Sequence, residues 1–171
     1  MVEIKPLSCI EPIEIEALLD AAFGGDRFQR TAYRLREGAM AIGDLSFAAF
    51  CNGRLVGTLQ SWPIMHIAEN GENRPLIMVG PVAVMPDAQG MGVGRTLMCS
   101  LLSAAESAAD AALMMIGDPD YYGRFFGFTA DATAEWVMPG PVERHRLLAR
   151  PVNGHLPPAV VGRIVPGCAV P

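Results

Sequence analysis

The chain has 171 residues, of which 51% are hydrophobic and 18% are charged, and its formal net charge is −5 at pH 7. This length and composition predict one domain with a substantial core, and an acidic chain without a lysine or arginine cluster is a poor candidate for binding nucleic acid. No apolar run approaches the ~20 residues of a membrane helix, and the N-terminus does not resemble a signal peptide. We therefore expect a cytoplasmic protein with no membrane partner.

Four cysteines are scattered along the chain without a pattern that indicates a metal or a disulfide. They include no C-x-x-C pair and no zinc spacing: Cys9, Cys51, Cys99 and Cys168. Reduced, buried thiols in a cytoplasmic protein are the expected state, and no metal site is predicted.

The N-terminal third predicts one strand followed by two helices. Residues 2–7 form a short alternating stretch typical of a strand. Pro12 suits the first position of a helix, which carries one apolar stripe: Ile15, Leu18, Leu19 and Ala22. Asp26 and Gln29 form the capping-box pattern of a second helix, whose apolar side contains Phe28, Ala32 and Leu35.

The next segment predicts a β-hairpin. Residues 45–51 and 54–62 have strand-like composition and are separated only by Asn52-Gly53. This pair is the strongest short hairpin signal, because both residues tolerate a positive φ. The polar residues 65–75 are expected to form a loop.

An apolar strand, a glycine-rich turn and a helix follow in succession. The strand covers residues 76–84, and the break at Gly80-Pro81 predicts a bulge because proline donates no ladder hydrogen bond. The turn covers residues 89–94. The helix after it has apolar residues at helical spacing: Leu97, Leu101, Leu102, Ala105 and Ala109.

The remaining sequence predicts shorter elements and an irregular end. A buried-type strand is expected at residues 112–116, a helix at 119–125, and two last strands at 126–133 and 145–152. Five prolines from Pro151 to the final Pro171 predict an irregular tail. The domain is accordingly placed at residues 1–153 and the Pro-rich tail at 154–171.

This succession indicates an α/β (α+β) fold. The order βααβββαβαββ predicts a mixed, mostly antiparallel twisted sheet with flanking helices, because hairpins come first and one strand–helix–strand unit must be parallel.

The strand, glycine turn and helix together predict a phosphate-binding site. A glycine turn at a helix start aims free backbone N–H groups and a positive helix end at an anion. The turn fails the Rossmann pattern G-x-G-x-x-G, whose third glycine is replaced by Arg95 or Leu97 in the two possible frames. It also fails the P-loop pattern, since Gln89 stands at the first glycine and Arg95 at the lysine.

The turn does match the acyl-CoA pyrophosphate loop Q/R-x-x-G-x-G/A of the GNAT acetyltransferase superfamily. The matching residues are Gln89-Gly90-Met91-Gly92-Val93-Gly94. About 30 residues later, Tyr121-Tyr122-Gly123-Arg124-Phe125-Phe126-Gly127-Phe128 resembles that family's Tyr-Tyr-x-Arg-Phe-Gly-Phe segment. The combination is much more specific than the loop motif alone.

This resemblance implies an N-acetyltransferase that uses acetyl-CoA as cosubstrate and acetylates a primary amine by direct attack in a ternary complex. The acceptor is a small molecule or a peptide amine, and a homodimer is left open. The resemblance implies that the cofactor is bound by the strand before the turn and by the turn itself: Val82, Ala83, Val84, Gln89, Gly90, Met91, Gly92, Val93, Gly94 and Arg95.

The resemblance also places the general acid in the second motif. Counted forward from Asp118-Pro119, Tyr122 fits this role, although the extra phenylalanine before Gly127 departs from the family pattern and keeps Tyr121 as an alternative. A phenol stays protonated at neutral pH and donates a hydrogen bond or a proton to a thiolate. The N–H of Val84 or of a neighbour is the implied oxyanion donor. No general base stands out, and the candidates are His66, Glu72 and Glu11.

The acceptor pocket implied by the fold contains aromatic residues from several segments: Phe23, Phe28, Tyr33, Trp62 and Trp136. Core packing is an alternative for each of them and the better interpretation for Phe28. Two other functions stay open at this point. One is an acyl-CoA-binding sensor without catalysis, which the extra phenylalanine suggests, and the other is a P-loop nucleotide-binding protein.

Overall fold

The computed structural model describes residues 1–167, which form one eight-stranded sheet with four helices. The helices are α1 (Pro12–Phe23), α2 (Thr31–Leu35), α3 (Val93–Ala108) and α4 (Pro119–Phe126). The strands are β1 (Val2–Pro6), β2 (Phe47–Cys51), β3 (Arg54–Ala68), β4 (Asn73–Val84), β5 (Ala112–Ile116), β6 (Trp136–Val137), β7 (Leu147–Arg150) and β8 (Gly162–Pro166).

The sheet is mixed and mostly antiparallel, as the sequence predicts. The strands are ordered β1-β2-β3-β4-β5-β7, and β8 pairs with the second half of β3 and with β6. The β4–β5 pair is parallel, which confirms the predicted strand–helix–strand unit, and β6–β8 is the other parallel pair within residues 1–167.

Local signals fix the β2–β3 hairpin and the first helix. Asn52 and Gly53 have φ values of 50° and 76°, so the predicted two-residue turn is confirmed. Helix α1 buries Ile15, Leu18 and Leu19 of its predicted stripe in a cluster that also contains Leu7, Ala48 and Ala83, and Ala22 is partly buried against it.

Helix α3 lies directly on the sheet because β3 carries a glycine beneath its first turn. A Cβ atom on Gly57 would lie 2.7 Å from Val93 Cγ1 and 3.1 Å from Leu97 Cδ1. Removing that Cβ lets the buried face of α3 enter the main core, where its fully buried members are Val93, Leu97, Met98, Leu101 and Ala105. The glycine thus sets the position of the helix start relative to β3 and β4.

The predicted loop at 65–75 is wrong, because the β3–β4 hairpin extends through most of it. Pairs continue from Trp62↔Met78 to Ile67↔Asn73, and β8 covers the free edge of β3 there. Burial alternates along this part of β3, with Ile64 and His66 fully buried. Because β4 and β8 pair with both edges of β3 here, its residues are buried although their local composition is polar.

The predicted strand at 126–133 is also wrong. Helix α4 ends at Gly127, which has a φ of 72°, and the chain then makes only one bridge to β7, at Thr129. The strand predicted at 145–152 is shorter than expected and covers Leu147–Arg150 as β7. Instead, Trp136 lies in the two-residue strand β6, fully buried, with its indole N–H donating to the Pro158 carbonyl at 2.7 Å.

The expectation of an irregular tail is corrected at residues 162–166. These residues form β8, which pairs with β3 and buries Ile164 in a second core cluster on the opposite side from α3. The prolines flank this strand more than they interrupt it, so their number misled the sequence prediction. Residues 168–171 lie outside the described part of the chain, as does the predicted thiol of Cys168.

Two smaller expectations also need correction. Asp26 and Gln29 form no capping box: residues 25–29 make a 3₁₀ turn and α2 starts at Thr31 after Arg30. The cysteines of the described chain form no disulfide, but they are not buried, since Cys9 and Cys99 are exposed. No helix within residues 1–167 is long and apolar enough to cross a membrane.

Candidate active site

The sheet opens into a cleft where β4 and β5 separate. These parallel strands pair only from Leu76↔Ala112 to Met78↔Met114. Beyond Met78, β4 keeps β3 as its partner, whereas β5 pairs with β7. A cavity of about 940 Å³ lies between the separated strands and is lined by residues 78–82 of β4 and by residues 115–118 at the end of β5.

The predicted bulge in β4 is confirmed and lies in the wall of this cavity. The register changes between Leu59↔Val82 and Ser61↔Val79, so Gly80 and Pro81 occupy an extra position opposite β3. Gly80 has a φ of 133°, which a residue with a side chain rarely adopts. The bulge turns β4 as it passes the cavity and leaves its backbone without β5 as a partner.

The glycine turn after β4 presents a row of backbone donors. From Gln89 to Arg95, only the amide of Met91 donates to a backbone carbonyl of the described chain, that of Ala88 at 3.3 Å. Gly90 and Gly92 have φ values of 83° and 78°, and a Cβ on either would meet nothing within 4 Å. Such a concave run of free N–H groups at the start of α3 attracts an anion.

The sequence-predicted cofactor residues divide between the cleft and the turn. Val82 lines the cavity, Ala83 is buried under α1, and Val84 packs toward α3. The turn residues do not line the cavity, but they continue from it, since a Cβ on Gly94 would lie 3.7 Å from Val84 Cγ2. The turn and the cavity are therefore consecutive along the end of β4.

The second motif joins the turn to the cavity through aromatic and cationic side chains. The Arg95 guanidinium lies 5.0 Å from the centre of the Phe125 ring, and Arg124 lies 5.4 Å from it. Phe126 is buried in the main core, whereas Phe125 is 44% exposed. The additional phenylalanine is thus accommodated on the outer face of α4, without displacing the buried one.

The two tyrosines of this motif occupy different environments. Tyr122 lines the cavity, and Tyr121 packs beside it on Phe125 and Phe126, with ring centres 5.4 and 5.6 Å apart. Burial raises the pKa of Tyr122 to about 12, with smaller contributions from Tyr121 and Asp118. The Tyr122 phenol therefore remains protonated throughout the physiological pH range.

Gly117 controls where the Tyr122 ring lies. A Cβ on Gly117 would be 2.7 Å from Tyr122 Cδ2 and 2.8 Å from Cε2, closer than packed atoms approach. The glycine at the end of β5 therefore allows the ring to pack against the backbone at the mouth of the cleft.

Comparisons with known proteins identify the family of this chain. The profile of the family described as Acetyltransferase (GNAT) domain matches residues 3–130, which is most of the chain. The chain belongs to the GNAT acetyltransferase family. It is also 30% identical over 145 residues to the uncharacterized N-acetyltransferase YhbS of Escherichia coli K12, covering 82% of this chain and 84% of that one.

Solved GNAT structures agree with the fold. The crystal structure of Escherichia coli YhbS in complex with CoA superposes with a TM-score of 0.65 at 25% identity, covering 96% of this chain and 87% of that chain. A GNAT acetyltransferase from Brucella melitensis in complex with acetyl-CoA gives a TM-score of 0.59 at 24% identity, covering 88% of this chain and 96% of that one.

The general-base candidates of this GNAT chain do not line its cavity. His66 is fully buried between β8 and the Trp136 ring, 5.7 Å away, and its Nε2 lies 3.2 Å from the Val160 carbonyl. Burial lowers its pKa. Glu72 and Glu11 are exposed, one in the β3–β4 turn and the other before α1. The carboxylates that line the cavity are those of Asp118 and Glu143.

The aromatic residues expected at the acceptor pocket are only partly brought together. Phe23 and Tyr33 line the cavity. Trp62 is buried behind the lining, and Trp136 lies in the core beneath it. Phe28 is 56% exposed with its ring edge-on to Tyr33, so the core interpretation given for it is wrong.

Sequence reasoning missed the charged residues of the cavity. Arg30, Arg36 and Arg146 line it, from two segments more than 100 positions apart. Behind them, Arg27 is buried and connects α1 to Tyr33. It donates to Tyr33 Oη at 2.8 Å and pairs with Asp20 and Glu16. No local motif marks these arginines, so only the folded chain reveals the cluster.

Proposed function

We propose that this GNAT protein transfers the acetyl group of acetyl-CoA to a primary amine by direct attack in a ternary complex. The observation that supports the proposal most strongly is the row of amides at residues 89–95, of which only that of Met91 donates to a backbone carbonyl of the described chain, directly beyond a strand that leaves its parallel neighbour. A similar chain, YhbS, binds CoA in its crystal structure.

Donor binding is proposed to use backbone groups along the end of β4. The pyrophosphate binds the amides from Gln89 to Gly94, with the positive end of α3 behind them and Arg95 beside them. The pantetheine arm then follows the free edge of β4 past Val82 and adds to the sheet through its own amide groups. This path brings the thioester to the cavity where Tyr122 lies.

The proposed reaction joins the acceptor nitrogen to the thioester carbonyl carbon and breaks the carbon–sulfur bond. The neutral amine attacks, and a backbone amide of the separated part of β4, that of Val84 or a neighbour, donates to the developing oxyanion. The amine loses a proton to solvent or to a cavity carboxylate. The electron pair of the broken bond leaves on the CoA sulfur.

Tyr122 is proposed to stabilise that leaving thiolate. Its pKa of about 12 is far above the ~8.5 of an ordinary thiol, so complete proton transfer from the phenol to the sulfur is unfavourable. Donation of a hydrogen bond to the thiolate is favourable, and solvent supplies the final proton. Hydrogen bonds to charged groups contribute about 1.5–3 kcal/mol, so Tyr122→Phe is expected to lower kcat by roughly 10- to 150-fold.

The first test is calorimetric titration with acetyl-CoA, with magnesium ATP and NAD as comparators. We expect acetyl-CoA to give a heat of binding, and magnesium ATP and NAD to give none. Binding of ATP in place of acetyl-CoA would contradict the proposal.

The second test measures turnover with a panel of amines. Tyr122→Phe should lower kcat while the Kd of acetyl-CoA stays within about twofold, and Tyr121→Phe is the matched control because Tyr121 does not line the cavity. Because Cys9 and Cys99 are exposed and react with thiol reagents, loss of the thioester absorbance is the better readout. Tight acetyl-CoA binding without turnover of any amine would favour an acyl-CoA sensor instead.

A further inference from the structure

Arg36 lies in the cavity wall, where no carboxylate of residues 1–167 contacts it directly and Glu16 acts on its charge only through space. Its guanidinium lies between two aromatic rings, 4.1 Å from the centre of Tyr33 and 4.6 Å from that of Trp62. Its Nη1 donates to the buried Gln60 side chain at 3.1 Å. Within residues 1–167 no carboxylate forms an ion pair with it. An arginine that is half-buried and unpaired is costly unless another anion neutralises it.

The other charges of the cavity do not supply that anion. Its two carboxylates are engaged elsewhere: Asp118 accepts from the Asp120 amide at 3.0 Å to cap α4, and Glu143 lies 3.4 Å from His145. Arg30 and Arg146, nearer the rim, also form no ion pair within the described chain. The cavity therefore has an excess of positive charge in a protein whose net charge is −5.

The rings that contact Arg36 are themselves anchored by other residues. The Tyr33 ring on one of its faces is anchored by Arg27, whose own charge is balanced by Glu16 and Asp20. On its other face, Trp62 belongs to the second core cluster. Arg36 lines the cavity, and Gln60 is the hydrogen-bond partner of its Nη1 within residues 1–167. Its remaining N–H groups are therefore available to a carboxylate or a phosphate, whose geometry a guanidinium matches.

We propose that the acceptor is an amine that also carries an anionic oxyacid group, a carboxylate or a phosphate, and that Arg36 binds this group. The inference rests on the proposed acetyl transfer, since it concerns the acceptor of the same reaction. The donor phosphates are assigned to residues 89–95, which lie outside the cavity lining. The arginine is therefore available to the second substrate.

The experiment compares matched amines that differ only in the anionic group. The pairs are L-phenylalanine with 2-phenylethylamine, and O-phosphoethanolamine with ethanolamine. Each is titrated into the protein saturated with CoA, and each is assayed as acceptor with acetyl-CoA. The first pair reports on a carboxylate and the second on a phosphate, so the two sources of anion are distinguished.

We expect the anionic member of at least one pair to bind about 10- to 100-fold more tightly than its neutral partner. Arg36→Met should remove most of this ratio, and Arg36→Lys, which keeps the charge but not the paired donors, should retain part of it. Arg163→Met is the control, because Arg163 is exposed on β8 and does not line the cavity. It should leave the ratio unchanged.

The two proposals fail in different ways. The anion site alone would be overturned if both members of each pair bound and were acetylated equally well. It would also be overturned if Arg36→Met kept the wild-type ratio of affinities between the anionic and the neutral amine. An anion preference in binding that Arg36→Met removes, without acetylation of any amine, would overturn the proposed transfer alone.

Discussion

The two sides of the cleft are built by different means. The proposed donor side consists of backbone groups from one continuous segment, residues 76–95, which contains the glycines of the turn and amides without a backbone carbonyl partner. The proposed acceptor side consists of side chains from separate segments, among them Arg36 after α2, Gln60 on β3 and Arg146 before β7. A backbone cradle suits a cosubstrate shared by a family, whereas side chains from many segments suit an acceptor that differs between its members.

Gly92→Asp is expected to have the largest effect and to be confined to the donor side. A carboxylate at this position would stand among the amides proposed to hold the pyrophosphate, and repulsion should weaken acetyl-CoA binding by about 100-fold or more, or ~2.7 kcal/mol. Calorimetric titration measures this loss. Gly71→Asp is the control, because it has a similar φ of 83°, open space around it and a position in the distant β3–β4 turn. Equal Kd values for the two variants would show that the turn does not bind the cosubstrate.

Gly117→Ala tests the point where the two sides meet. Its new methyl group would displace the Tyr122 ring, which lies within 2.8 Å of the Cβ position, and a misplacement of this kind is expected to lower kcat by about 10- to 100-fold. Acetyl-CoA affinity should stay within about twofold. In the background of Tyr122→Phe the same substitution should have a much smaller effect on kcat. Gly43→Ala, where a Cβ meets nothing within 4 Å, should be neutral.

This contrast also explains how much could be predicted from the sequence. The turn at residues 89–94, the β2–β3 turn and the stripe of α1 were predictable, because each depends on residues a few positions apart. The extension of β3 beyond Trp62 was not, since its burial comes from β8, about 100 residues later. Likewise, no local pattern shows that Arg36 would lie between Tyr33 and Trp62. Interactions between distant segments decided both of these features.

Arg27→Met probes the support of the acceptor side. The substitution keeps an unbranched apolar stem but removes the hydrogen bond to Tyr33 and the ion pairs that join α1 to the turn before α2. Because Glu16 and Asp20 are partly exposed and regain water, we expect the free energy of unfolding to fall by about 1–3 kcal/mol. Urea denaturation measures it. Arg54→Met, which breaks the exposed pair with Asp87, should change little. If Arg27→Met binds the anionic amines with the same preference over their neutral partners as the wild type does, Arg36 does not need the support of Arg27.

The smallest effect is expected from a fall in pH, which lowers the stability of the folded protein through His66, in the core behind the acceptor side. Burial lowers the pKa of His66, whose ring packs on Trp136 in the cluster that also contains Leu35 of α2. As the pH falls below the unfolded value of ~6.5, the unfolded chain binds a proton before the folded protein does. The stability present at neutral pH is therefore lost progressively toward the lower folded pKa. Thermal unfolding at about pH 7.5 and 5.5 should show a smaller decrease in Tm for His66→Gln than for the wild type. His145→Gln is the control: that histidine is exposed, so its Tm should decrease as much as that of the wild type. Equal decreases in Tm for the wild type and His66→Gln would assign the acid sensitivity to other groups.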